Sequence, residues 1–119
     1  MTDPVLRLLT QRAATSIVIG SSRDDHSLAR AEELAKAWES AGGEVLDIVD
    51  WPEQAASWLR QARRFAAGAP DAWVVIASPT GWHHLTRRLA QTSWDPGRTI
   101  LVDPLQPDQL AGVVAGEVQ

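Results

Sequence analysis

The sequence predicts a three-layer α/β domain: a doubly wound parallel sheet of about four strands in the order 2-1-3-4, between two layers of helices. Three observations predict it. Apolar strand-like runs alternate with helical patterns along the chain, which calls for crossover connections and a parallel sheet covered on both faces. The third run, AWVVIA at residues 72–77, is continuously apolar, as a strand buried on both faces has to be. Finally, 119 residues with 45 % hydrophobic content supply one core, so residues 1–119 read as a single domain with residues 1–14 as an N-terminal helical extension.

Each element has its own signal. Residues 4–13 are helical in pattern, with Val5, Leu8 and Leu9 as the apolar edge. Residues 16–20 (SIVIG) form a short buried strand, and residues 28–41 a helix in which Leu28, Ala31, Leu34, Ala35 and Trp38 make one stripe. Ser27 is the expected N-cap, and Gly42–Gly43 ends the helix. Residues 44–50 (EVLDIVD) form a second strand, placed at the sheet edge because Asp47 interrupts it. Pro52 fits the first turn of a helix running to about Ala67, with Ala55, Trp58 or Leu59, Ala62, Phe65 and Ala66 inward. After the 72–77 strand, SPTGW reads as a loop, 83–92 as a short helix and WDPG at 94–97 as a turn. A fourth strand at 99–103 (TILVD) then leads to a weak helix around 108–115.

Composition narrows the function. A net charge of −4 and a pI near 5.2 argue against a nucleic-acid partner, since phosphate backbones attract basic faces. No apolar run approaches the roughly 20 residues of a membrane span. The absence of cysteine removes disulfides, thiolate metal sites and a cysteine nucleophile. The opening MTDPVLRLLTQRAA lacks the basic-then-apolar layout of a secretory signal, so the expected location is the cytoplasm.

In the 2-1-3-4 arrangement the loops leaving strands 1 and 3 diverge and leave a crevice for a ligand. The first loop carries Ser21, Ser22, Arg23 and Ser27 ahead of a helix whose N-terminal amides favour an anion, and Gly20 lets the backbone approach. The same residue types also serve any strand-to-helix bend, and Asp24 and Asp25 place negative charge beside such a phosphate. The second loop offers Pro79, Thr80, Gly81 and Trp82, the last with a ring face for stacking on a planar ligand or for packing beneath the next helix. His83 and His84 are adjacent, so on a helix they do not share a face, and no metal site is assigned. A hydrolytic triad from Ser78, His83 or His84, and Asp103 is a further option, although ASPTG is not the G-x-S-x-G elbow.

The stretches IVIGSSRDDHSLARAEELAKAWESAGGEVLDIVD and PDAWVVIASP resemble the NADPH-dependent FMN reductase family of flavodoxin-like proteins, over about residues 16–90. By that resemblance Ser21, Arg23 and Ser27, with Ser22 beside them, hold an FMN phosphate, and Pro79, Thr80, Gly81 and Trp82 line the isoalloxazine ring. The implied activity is an oxidoreductase passing electrons from a nicotinamide through FMN to a quinone-type acceptor. The tyrosine–asparagine that follows the third-strand proline in that family is replaced here by TGWHH. The alternative is a non-catalytic flavodoxin-like module, without cofactor, that acts through a protein partner or as a homodimer.

Overall fold

The computed structural model describes residues 4–55 and 57–102. Its elements run α1 (Pro4–Gln11), β1 (Ser16–Ser22), α2 (Asp25–Ser40), β2 (Glu44–Trp51), α3 (Leu59–Ala66), β3 (Ala72–Ile76), α4 (Pro79–Leu89) and β4 (Thr99–Val102). The four strands form one parallel sheet in the order β2-β1-β3-β4, as expected. The C-terminal helix expected around 108–115, and Asp103, lie outside the described residues. No helix among the described residues is long and apolar enough to cross a membrane.

Alternation along the central strands builds both cores at once. Val18, Trp73 and Val75 face the layer of α3 and α4, where they meet Phe65, Trp82, Leu85, Leu89 and Trp94. Ile17, Ile19, Val74 and Ile76 face the layer of α1 and α2, where they meet Leu9, Leu34 and Trp38. The chain moves from β1 outward to β2 through α2, then back across to β3 through α3. This reversal puts α2 and α3 on opposite faces, as right-handed crossovers require.

The edge position of β2 explains Asp47. Its carboxylate accepts two hydrogen bonds of 2.8 Å from Arg64 on α3, so the charge stays at the rim of the sheet. Beside it, the pairing with β1 jumps from Ile17↔Val45 to Val18↔Asp47, so Leu46 has no counterpart and bulges. Leu46 is 40 % exposed.

Helix ends follow local chemistry. At the end of α2 the Gly42 N–H donates to Glu39 O and the Gly43 N–H to Trp38 O, with Gly42 at φ 96°. This is a Schellman close with glycine in the left-handed position. The end of α1 has the same pattern, Ala13 N–H to Thr10 O and Ala14 N–H to Leu9 O, but the left-handed residue is Ala13, at φ 57°.

Three boundaries differ from expectation. The N-cap of α2 is Asp24, whose side chain accepts from the Ser27 N–H, so the helix starts at Asp25 and Ser27 lies inside its first turn. Helix α4 starts at Pro79, because Ser78 is an extended N-cap and proline is preset for the first helical position. Helix α3 starts only at Leu59. The segment after Pro52 is held by tertiary bonds instead: Trp58 Nε1–H donates to Pro52 O at 3.0 Å, and Glu53 reaches across to α4.

Candidate functional site

The carboxyl ends of β1 and β3 flank an open crevice of about 620 Å³, lined by Ser22, Arg23, Asp24, His26, Ser27, Pro52, Glu53 and Ser78. It lies at the point where strand order reverses, the place at which open α/β sheets bind ligands. The N-termini of α2 and α4 both open onto it.

Each of those helix ends carries a carboxylate of the chain itself. Asp24 accepts from the Ser27 N–H at 3.0 Å and from the Ser22 hydroxyl. The Ser22 bond above all, with the Ser27 amide, holds the Asp24 carboxyl below its ordinary pKa. Glu53 accepts from the Gly81 N–H at 3.1 Å and from the Ser78 hydroxyl, so it serves as the anion at the start of α4. Ser22 ties the two halves together: its hydroxyl is 3.1 Å from that of Ser27 and accepts from the Ser78 N–H at 3.3 Å.

The residues named from sequence are therefore only partly brought together. Ser22, Arg23 and Ser27 line the crevice. Arg23 also pairs with Asp50 at 2.7 Å. Ser21 lies beneath, fully buried, its hydroxyl without a hydrogen-bond partner. Pro79 and Thr80 are exposed on the first turn of α4. Gly81 is buried against Glu53 and Trp51. Trp82, expected to offer a stacking face, is 1 % exposed and packs in the core between Trp51 and Trp94, at centroid distances of 6.0 and 5.9 Å. It turns inward because α4 begins four residues earlier than the sequence suggests, which puts Trp82 on the stripe of Leu85 and Leu89.

Gly20 also has a different task. It sits within β1, and a Cβ there would lie 2.6 Å from Phe65 Cε1 and from two atoms of the Trp51 ring. The missing side chain makes room for two aromatic rings rather than for a ligand. The triad does not assemble among the described residues, since the Ser78 hydroxyl donates to Glu53, and His84 stacks on Trp58 at 4.4 Å. Sequence reasoning missed Asp24 as a cap although aspartate is among the preferred N-cap residues. It missed Glu53 because nothing local links a residue after β2 to a helix that starts 26 positions later.

No family model matches the chain, and no curated protein matches it. Solved structures do share the fold. A substrate-binding periplasmic protein from Ralstonia solanacearum superposes with a TM-score of 0.76 at 12 % identity, over 95 % of this chain and 32 % of its own. An extracellular ligand-binding receptor from Rhodopseudomonas palustris HaA2 gives 0.68 at 16 % identity, over 82 % of this chain and 26 % of its own. An ABC transporter solute-binding protein from R. palustris, in complex with 4-hydroxybenzoate, gives 0.67 at 15 % identity, over 82 % and 27 %. The chain thus spans about a third or less of these proteins, and identities this low establish a common α/β fold and nothing finer.

These neighbours correct several expectations. They are solute-binding proteins, which overturns the resemblance to FMN reductases and, with it, the oxidoreductase activity and the flavin and nicotinamide partners. They equally give no support to a cofactor-free module acting through a protein partner or a homodimer. The expectation of a cytoplasmic location is corrected too, because the proteins that share this fold are described as periplasmic or extracellular.

Proposed function

We propose that this chain is a solute-binding α/β domain that takes a small polar organic molecule in the crevice between the starts of α2 and α4. The observation that carries this reading is the crevice itself: about 620 Å³, within the range of small-molecule sites, at the reversal point of the sheet and rimmed by hydroxyl and charged groups. The solute-binding neighbours, one of them holding 4-hydroxybenzoate, support the class of ligand.

The lining favours a particular chemistry. Asp24 and Glu53 already satisfy the two helix starts and present acceptor oxygens to the crevice, whereas Arg23, bound to Asp50 through Nε, presents its remaining N–H donors. A ligand that offers both donors and a carboxylate, such as a free amino acid or a hydroxylated organic acid, matches that set. Amide-resolved NMR titration with a panel of amino acids and hydroxy acids, 4-hydroxybenzoate included, tests it. Shifts at residues 22–27, 53 and 78–81 that saturate, and that weaken at least fivefold in Glu53→Gln, are expected. No saturable shift for any member of the panel, or shifts centred elsewhere, would overturn the reading.

A further inference from the structure

A second groove, of about 460 Å³, lies on the opposite side of α4 from the sheet and is lined by Trp58, His84, Arg87, Arg88 and Gln91. We infer that it binds a small aromatic anion of the mononucleotide kind, its phosphate on Arg87 and Arg88 and its flat ring against the Trp58–His84 shelf. This site is separate from the crevice and does not depend on the reading given for it.

The spacing builds the groove. His84, Arg87, Arg88 and Gln91 stand at i, i+3, i+4 and i+7, so they form one stripe running down α4 and past its last turn, while Trp82, Leu85 and Leu89 form the buried stripe. Trp58, just ahead of α3, closes the upper end. Its indole is fixed twice, by the 3.0 Å bond from Nε1 to Pro52 O and by stacking on His84 at 4.4 Å with an 11° interplanar angle. The shelf is therefore already ordered, and a planar ligand meets a surface whose rotamer entropy has been lost in folding.

Charge supplies the second half of the argument. The chain carries 15 acidic against 11 basic residues, and Arg23, Arg30, Arg64 and Arg98 each pair with a carboxylate. Among the described residues, Arg87 and Arg88 pair with none, as is also true of Arg7, Arg12, Lys36, Arg60 and Arg63; what sets the two apart is that both line one groove that no carboxylate lines. Part of their effect is to complement the carbonyl end of α4. That leaves the guanidinium forks, each with several free N–H donors, open toward the groove, the geometry that suits phosphate oxygens. Phosphate alone engages the forks and a neutral nucleoside alone engages the shelf, so a ligand holding both parts gains from each.

Calorimetric titration of the whole chain with AMP, ribose 5-phosphate and adenosine reads this directly. AMP is expected to bind, with ribose 5-phosphate and adenosine each at least tenfold weaker. The double variant Arg87→Ala/Arg88→Ala, whose side chains are exposed and whose fold is checked by circular dichroism, is expected to lose AMP at least tenfold. Ser78→Ala in the other crevice is expected to change AMP affinity less than twofold. Three results would overturn the inference: no heat with AMP at millimolar concentration, equal binding of AMP and ribose 5-phosphate, or AMP affinity unchanged in the double arginine variant.

Discussion

Replacing Gly20 by alanine adds one methyl group at the most crowded point of the sheet. That carbon would stand 2.6 Å from Phe65 Cε1 and 2.6 Å from Cη2 and Cζ3 of Trp51. Ordinary carbon–carbon contact is about 3.5–4.0 Å, so both rings have to retreat by about 1 Å. Neither has room, since both are fully buried and pack edge to face at 5.9 Å. Overpacking of this kind costs about 1–3 kcal/mol. Restricting the unfolded chain returns about 0.5–1 kcal/mol. With clashes against two rings the balance falls near 2 kcal/mol of lost stability, or roughly 6–8 °C in Tm for a chain of this size. Urea denaturation followed by tryptophan fluorescence measures it. The companion variant Gly20→Ala/Phe65→Leu opens space on one side, so its loss is expected to fall short of the sum of the single losses by at least about 0.5 kcal/mol. A Gly20→Ala protein within about 0.5 kcal/mol of wild type, or strict additivity with Phe65→Leu, would refute the packing argument.

The other expectations concern the helix ends and the sheet rim. Asp24→Ala removes the cap of α2 and is expected to cost about 1 kcal/mol in urea unfolding, whereas Asp24→Asn keeps most of it; equal losses would show that the cap bond to Ser27 is not what Asp24 contributes. Ala13→Gly relieves a left-handed alanine at the close of α1 and is expected to raise stability by about 0.5–1 kcal/mol, read as a higher urea midpoint; a lower midpoint counts against the strain. Asp71 accepts from the Thr15 hydroxyl and from the amides of Thr15 and Ser16, bonds that hold its pKa down to about 2 from 3.8. A depressed carboxylate pKa stabilises above the unfolded value and loses that effect as pH falls through the folded one. The urea midpoint of wild type is therefore expected to decline more steeply between pH 4 and pH 2 than that of Asp71→Asn, and parallel declines would remove Asp71 from acid unfolding.

How far the sequence carries depends on whether a residue's role is local. Strand order was legible because it follows from apolar continuity in β3 and a charge in β2, both properties of the segment itself. The close of α2 at Gly42–Gly43 was legible for the same reason. The start of α3 was not, since Glu53 leaves a good helical pattern to bond residues 25 and 28 positions further along. Gly20 was misassigned and the two roles open to Trp82 were left undecided: each residue type is common in ligand loops, and only the packed core reveals that one provides space and the other helps to fill the same layer. In the crevice, the hydroxyls of Ser22 and Ser27 and the charge of Asp24 could be anticipated, whereas Glu53, which reaches the start of α4 from a distant segment, could not.

The extra residue at Leu46 decides more than the local twist. Before it, Val45 points to the α2 layer; after it, Ile48 still does, while Val49 and Trp51 point the other way. Were Leu46 deleted with the same outer register kept, every side chain on one flank of the kink would swap faces. Trp51 would leave the hollow over Gly20, and the Pro52–Glu53 corner that walls the crevice would keep its bonds to Trp58 and α4 but lose the buried ring beside it. The shape of the crevice mouth is thus set by a phase shift about 20 Å upstream, at a position that does not line it.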